Sequence, residues 1–323
     1  MIYCVASGDN IMEKKKKITV AITGCSGYLA SILIPLLEDD SNINRIIGID
    51  IVPPGFKCSK LEYHRTSIHD YDKLVEIFKD ADCVVHMAFN INGMHDRKKL
   101  ERLNVDGSKS VIDAAVEAGV EKLVFTSSIA AYGAHTDNPI PLKETDRLRG
   151  KGTFFYADQK HRLEEYLDEV EKKNSKMKIV RLRLCTTTGP KAYNETVTMY
   201  SSPVFVAFRK YQPPVQLMHE DDAVEAFHLA IVRDISGAFN IGADWDYSAK
   251  EHAKIAGAKI VYLPVAVSKA FANLLWWLRI IKFHPSWIQA SLYPVVTDVT
   301  KARKLLGWQP KYKTEEIIKS IKK

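Results

Sequence analysis

The sequence predicts an α/β protein built on a doubly wound parallel sheet, with a smaller α/β region on its C-terminal side. Three observations carry that expectation. Short apolar, β-branched runs alternate with longer stretches of helical spacing. A glycine-rich turn joins the first run to the first helix, and the second run ends in an acid.

The first run, Ile18-Thr19-Val20-Ala21-Ile22-Thr23, reads as a buried parallel strand. The turn Gly24-Cys25-Ser26-Gly27-Tyr28-Leu29-Ala30 follows it. Gly24 permits a tight turn, and Gly27 lets backbone approach a pyrophosphate. A helix over 28–38 presents its positive N-terminus to that anion. Ala30 stands where a third glycine is usual and is small enough for close helix–strand packing. The second strand, 45–50, ends in Asp50, 20 residues after Ala30, where a carboxylate would accept hydrogen bonds from an adenosine ribose. The plainer reading of Asp50 is a strand-end turn residue.

Strands are expected at 62–65, 83–87, 122–126 and 178–183, and helices at 71–78, 98–118 and 156–172. After Gly189-Pro190 the pattern becomes irregular and richer in proline and aromatics. Residues 17–189 are therefore read as a dinucleotide-binding domain, and 190–219 with 243–323 as a substrate-binding region. A helix at 223–232 and a strand at 238–241 return 220–242 to the first domain. Met12 before the lysine run is read as a true start, which leaves 1–16 as a loose tail.

The net charge of +7 is matched by seven terminal lysines, Lys14 to Lys17, Lys319, Lys322 and Lys323. The folded body is then near neutral, which argues against a nucleic-acid surface. Five scattered cysteines without a C-x-x-C suit a reducing cytoplasm and no zinc site. Residues 261–283 are apolar but interrupted by Pro264, Lys269, Asn273, Arg279 and Lys282, too many breaks for a membrane span. A pocket-lining helix is the expectation there, with weak interfacial contact the alternative.

Tyr156-Ala157-Asp158-Gln159-Lys160 carries the chemistry. Tyrosine and lysine four apart share a helix face, so the ammonium is expected to stabilise the phenolate and lower the tyrosine pKa. Of 14 tyrosines, Tyr156 alone has a lysine at that spacing.

With these residues assembled, the chain resembles the extended short-chain dehydrogenase/reductases, the NAD-dependent epimerase/dehydratase superfamily with a Rossmann-type fold. The likeness spans about 18–320 and rests on motifs in family order. These are Thr23-Gly24-Cys25-Ser26-Gly27, Asp50, His86-Met87-Ala88, Asn104-Val105-Asp106-Gly107, Thr126-Ser127-Ser128, Tyr156-x-x-x-Lys160, Arg183 with Gly189-Pro190, His219-Glu220-Asp221-Asp222 and Leu306-Gly307-Trp308. The resemblance implies a catalytic triad of Ser128, Tyr156 and Lys160. It also implies NAD, with NADP disfavoured by Asp50, bound by Gly24, Ser26, Gly27, Tyr28, Leu29 and Asp50. Ser67 and Ile68 fall where the family contacts adenine, and Ala88 and Phe89 beside pyrophosphate and ribose. Asn104 lies behind the nicotinamide, and Thr126 and Cys185 complete the cofactor set with Tyr156 and Lys160.

Departures from the pattern narrow the chemistry. Related sugar-nucleotide dehydratases carry Thr-Asp-Glu where this chain has Ser128-Ile129-Ala130, and neither Ile129 nor Ala130 can serve as acid or base. Galactose-type epimerases place Asn and Arg where Thr186 and Val215 stand, so the grip on a nucleotide sugar is weakened. Lys191, Arg209 and Lys210 remain as substitutes. Three functions stay open: hydride transfer on a rather apolar hydroxy or keto compound, a nucleotide-sugar 4-epimerase holding its NAD, and a non-catalytic dinucleotide-sensing scaffold. The expected partner is a small molecule, with a homodimer left open. His86 is read as a buried strand end, and His219 with Asp221 and Asp222 as a structural turn, both in preference to metal ligands. Tyr200, Phe205, Phe208, Tyr211, Phe271, Trp276 and Trp277 are expected around the substrate.

Overall fold

The structure is a computed structural model that describes residues 17–92, 94–281 and 284–321. The tail expected at 1–16 lies outside the described residues. The first part of the chain runs β1 (Ile18–Thr23), α1 (Ala30–Asp39), β2 (Ile43–Asp50), β3 (Leu61–Arg65), α2 (Tyr71–Phe78) and β4 (Cys83–His86). It continues through α3 (Arg97–Glu101), α4 (Gly107–Glu117), β5 (Lys122–Ser128), α5 (Phe155–Lys173) and β6 (Lys178–Leu184). Then come β7 (Thr186–Thr188), α6 (Glu195–Ser201), β8 (Val204–Ala207), β9 (Leu217–His219), α7 (Glu220–Val232) and β10 (Gly237–Ile241). The last elements are α8 (Ala249–Ile255), β11 (Lys259–Tyr262), α9 (Val265–Trp277), α10 (Ser286–Ala290) and α11 (Thr314–Ile321).

Seven strands form one sheet in the order β10-β6-β5-β4-β1-β2-β3, every pair parallel. Successive side chains in a strand face opposite ways. Val20 and Ile22 of β1 thus join the core under α1 and α7, with Leu33, Leu37 and Phe227. Ala21 joins the opposite core under α2, α4 and α5, with Phe78, Ile112 and Leu163. Because β1 lies between β2 and β4, the winding reverses there, and a crevice opens beyond the carboxyl ends of β1 and β4.

The helix expected over 98–118 is divided. A π-helical turn at Arg102–Asp106 separates α3 from α4 and shifts the face that Asn104 presents. The smaller part has its own core of Tyr200, Phe205, Leu217, Ala253, Ile317 and Ile318. It is tied back at α7: the Trp308 indole donates to the Asp222 carbonyl at 2.8 Å, and the Asp222 carboxylate accepts from the Lys311 and Tyr312 backbone at 3.1 and 3.3 Å. His219 caps α7 by accepting from the Asp221 N–H at 3.2 Å, and its ring stacks on Tyr312. The segment is thus a structural junction. Among the described residues no group of three or more His, Cys, Asp or Glu could hold a metal.

Glu164 of α5 is fully buried. Its carboxylate takes two hydrogen bonds from the Arg183 guanidinium, both at 2.9 Å, and one from the Ser127 hydroxyl at 2.5 Å. Arg183 on one side and Arg181 on the other hold it below the usual carboxylate range against the opposing effect of burial. Removing one partner of such a pair strands the others without compensation. Glu164→Ala should therefore cost about 3–5 kcal/mol of stability. Urea unfolding of the two proteins measures it, and a loss below about 1 kcal/mol would place the clamp outside the cooperative fold.

Candidate active site

The crevice is built first from backbone. Gly24 has φ +75°, and a side chain there would place its Cβ 2.7 Å from the Ala88 nitrogen, so only glycine fits between the ends of β1 and β4. The Ser26 N–H donates to the Asp50 carboxylate at 3.1 Å, and the Ile51 N–H to its other oxygen at 2.7 Å. The acid that ends β2 is thereby held against the glycine turn. Tyr28 donates its hydroxyl to Glu220, and Leu29 packs into the sheet core. Ser67 and Ile68 follow β3 beside Asp50, whose carbonyl accepts from Thr66 at 3.1 Å. Ile68 lies against the bare Gly107, where a Cβ would come within 2.5 Å of it. A side-chain-free cradle, a carboxylate at the end of β2 and a cleft between them suit a dinucleotide.

Asn104 is completely buried. It accepts from the Asn90 N–H at 2.8 Å and donates to the Asn90 carbonyl and the Gln159 side chain, both at 2.9 Å. It therefore locks the loop after β4, which carries Ala88 and Phe89, onto α5. Cys185, just past β6, donates its N–H to Ile241 at 2.9 Å, and burial pushes its thiol well up. His86 sits between the hydroxyls of Thr23 (2.7 Å) and Ser108 (2.9 Å), and burial lowers it to about 3, so it is a neutral structural residue.

The three residues expected to carry the chemistry lie where β5 meets α5. Ser128 ends β5, accepts from the Ala130 N–H at 3.2 Å and lies 3.3 Å from the Leu184 carbonyl. The Tyr156 phenol lies close enough to the Ser128 hydroxyl for Ser128 to favour its charged form. One turn further along α5, the Lys160 ammonium donates to the Thr126 carbonyl at 2.7 Å and rests 3.6 Å from the centre of the Phe89 ring. Thr126 is itself fixed through its hydroxyl, 2.7 Å from the His86 carbonyl.

The electrostatics differ from the expectation that Lys160 lowers the tyrosine. Burial raises the Tyr156 phenol, and the Ser128 hydroxyl is what opposes the rise. Burial also lowers Lys160 to about 7, against the pull of Glu164. The reason is geometric, because the amine is turned towards Thr126 and Phe89 and stands 5.7 Å from the centre of the Tyr156 ring.

Aromatic side chains wall this corner. Phe89 meets Tyr156 edge-on with centroids 5.8 Å apart, Phe154 lies at 6.4 Å and Trp287 of α10 at 5.5 Å. Trp287 is absent from the aromatics expected around the substrate, and no periodicity marks it in the sequence. Several that were expected lie elsewhere. Tyr200 and Phe205 build the smaller core, while Phe271 and Trp277 point outward. Trp276 stacks on His95 at 4.1 Å. The small residues Ser268 and Ala272 form the buried side of α9, which turns Phe271, Leu274 and Trp277 away.

Residues 20–242 match the NAD dependent epimerase/dehydratase family, more than half of the chain. The chain belongs to that family. It is accordingly an NAD-dependent enzyme built on the parallel sheet just described. An uncharacterized Mycobacterium tuberculosis protein is 26% identical over 307 residues, covering 92% of this chain and 81% of the relative. The vaccinia virus 3 beta-hydroxysteroid dehydrogenase/Delta 5→4-isomerase is 29% identical over 119 residues, 35% of this chain and 34% of the viral protein. Among solved structures, a UDP-glucose 4-epimerase of Thermotoga maritima superposes with a TM-score of 0.74 at 22% identity, covering 94% of this chain and 97% of that one. At that identity the likeness establishes the fold.

The buried Lys160 has a consequence for stability. Its ordinary pKa is 10.5, and the folded value is about 7. Below about pH 7 both folded and unfolded chains carry the proton, and the burial penalty is fully felt. Between about 7 and 10.5 the folded chain releases the proton while the unfolded chain keeps it, so stability rises with pH. The cofactor-free wild type should gain stability over that window relative to Lys160→Met, which has no group to titrate. Melting both proteins across the range tests this, and parallel curves would contradict it.

Proposed function

We propose that this chain transfers hydride at a secondary alcohol or ketone less polar than a nucleotide sugar, with Tyr156 as the acid/base. The observation that carries this reading is the packing of Phe89, Phe154 and Trp287 around the half-buried Tyr156 ring, near the Ser128 hydroxyl. Apolar walls with a few convergent polar groups suit an apolar substrate.

NAD, when bound, would accept or return the hydride. The turn from Gly24 to Leu29, with Asp50, would hold its adenosine end. Ser67 and Ile68 would border the adenine, Ala88 and Phe89 the pyrophosphate and ribose, and Asn104 would support the nicotinamide side through the loop it fixes. Thr126 and Cys185 would line the inner end. Ser128 would donate to the substrate oxygen and align it. Tyr156 would take the hydroxyl proton during oxidation and return one during reduction. Lys160, leaving the Phe89 face, would reach the nicotinamide ribose and favour the phenolate.

The nucleotide-sugar 4-epimerase reading is weaker. Thr186 and Val215 lie in and next to the paired strands β7 and β9 and offer no charge to a diphosphate. Of the remaining cations, Arg209 is stacked on Tyr262, 4.6 Å from its ring centre. The viral relative, named for a hydroxysteroid, favours the apolar class over its aligned third of the chain. A dinucleotide-sensing scaffold has no use for Ser128, Tyr156 and Lys160 gathered at one corner. Residues 17–189 with 220–242 would then serve the cofactor, and the rest of the chain the substrate.

Tyr156→Phe should abolish turnover and leave NAD affinity nearly intact, because the ring keeps its packing. General acid–base help is typically worth about 10² to 10⁴ in rate, so retention of more than about a tenth would remove Tyr156 from that role. Substrate class is tested by thermal stabilisation of the NAD-bound protein. Apolar secondary alcohols and ketones should stabilise it, and stabilisation by UDP-sugars alone would restore the epimerase.

A further inference from the structure

Helix α9 and the paired strands β8 and β11 that precede it in the chain leave large apolar side chains in solvent. Phe271 is 59% exposed, Leu274 50%, Trp277 75% and Ile280 64%. Val267, Phe271, Leu274 and Leu278 recur at helical spacing on one side of α9, while Ser268 and Ala272 occupy the buried side. Val204 and Val206 of β8 and Val261 and Tyr262 of β11 are also exposed, and these two strands pair with one another. Exposed apolar surface on this scale marks a contact with something other than water.

Charge identifies the contact. From residue 252 to 297 the chain has no Asp or Glu, yet it carries Lys254, Lys259, Lys269, Arg279 and Lys282. The segment 196–219, which contains β8, is likewise free of acids and adds Arg209 and Lys210. Lys259 opens β11, Arg209 lies across Tyr262 at its end, and Arg279 follows α9. Apolar surface bordered by cations, with tryptophan among its exposed groups, suits the headgroup zone of an anionic bilayer. No helix of the described residues is long and apolar enough to cross a membrane, so the contact is interfacial.

We propose that the outer face of α9, with the edge formed by β8 and β11, docks this enzyme on anionic lipid surfaces. The opposite side of α9 faces inward, where Trp276 stacks on His95 and meets His284. α10 follows, and its Trp287 packs on Tyr156. Docking therefore sets the catalytic corner close to the lipid. Use of a lipid-dissolved substrate rests on the apolar reading above, whereas docking itself does not.

Vesicle flotation of the full chain tests docking without any substrate. Phosphatidylcholine vesicles containing phosphatidylglycerol should carry the protein up, and pure phosphatidylcholine vesicles should do so much less. Leu274→Asp with Trp277→Asp should weaken binding at least about tenfold, since apolar insertion and charge attraction are both opposed. Both residues are exposed, and retained thermal stabilisation by NAD verifies folding. Leu305→Asp, an exposed leucine near the β10 edge of the sheet, should bind like wild type. Absence of flotation with anionic vesicles, or flotation unchanged in the double variant, would overturn the proposal. A concentration-dependent dimer that the same variant dissolves, without vesicle binding, would assign the face to a second copy and also overturn it.

Discussion

The placement of Tyr156 and Lys160 depends on how Glu164 holds α5 to the sheet. The carboxylate sits on α5 one turn beyond Lys160, and it is reached by Ser127 from β5 and by Arg183 and Arg181 from β6. Three partners on two strands fix the rotation of α5 as well as its distance from the sheet. Tyr156 and Lys160 lie on the same helix, so that rotation decides whether the phenol meets Ser128 and whether the amine meets Thr126. Arg183 extends the clamp to the Tyr132 hydroxyl at 2.8 Å, and Tyr132 in turn donates to Asn240 of β10 at 2.8 Å. A buried ionic network is poor evidence for added stability; here its partners on β5 and β6 hold α5 in one rotation against the sheet.

Burial acts on the two site residues in opposite senses. Desolvation disfavours the charged form of each, so it raises the phenol and lowers the amine. Ser128 opposes the first change and Glu164 the second. The phenol thus relies on a nearby hydroxyl, and the amine on a carboxylate one turn away. Phe89 provides the electron-rich face over which the ammonium rests at 3.6 Å, and Asn104 holds the loop that carries it.

Much of this was legible in the chain. The strands announce themselves as short β-branched runs, and all those expected recur within a residue or two, β10 included. Gly24 could be placed because a positive φ and a close backbone approach leave no substitute. The spacing of Tyr156 and Lys160 sufficed to put them on one helix face, but not to say where the amine turns. That depends on Thr126 and Phe89, which come from separate strands and loops. The π-helical turn around Asn104 escaped for a similar reason. It answers a tertiary demand to reach both Asn90 and Gln159, and nothing in the helical period of 98–118 records that demand.

The aromatics show most clearly what composition hides. Seven are expected around the substrate from their place in the chain, yet direction rather than proximity in sequence decides what a side chain lines. In α9 the small residues Ser268 and Ala272 allow close approach to the body, so the large ones on the other side must face out. Trp287, on a helix of five residues, is too isolated to register as a pattern, and it is the one that reaches Tyr156. The cations obey the same logic. Lys122 donates to the carbonyls of Ala230, Ile231 and Arg233, Arg181 and Arg183 serve the Glu164 cluster, and Arg209 lies on Tyr262. A positive side chain already committed to the fold is a poor clamp for a diphosphate. The polarity of a site is therefore set by which charges the fold leaves uncommitted, a property that belongs to the folded structure and not to the count of lysines and arginines.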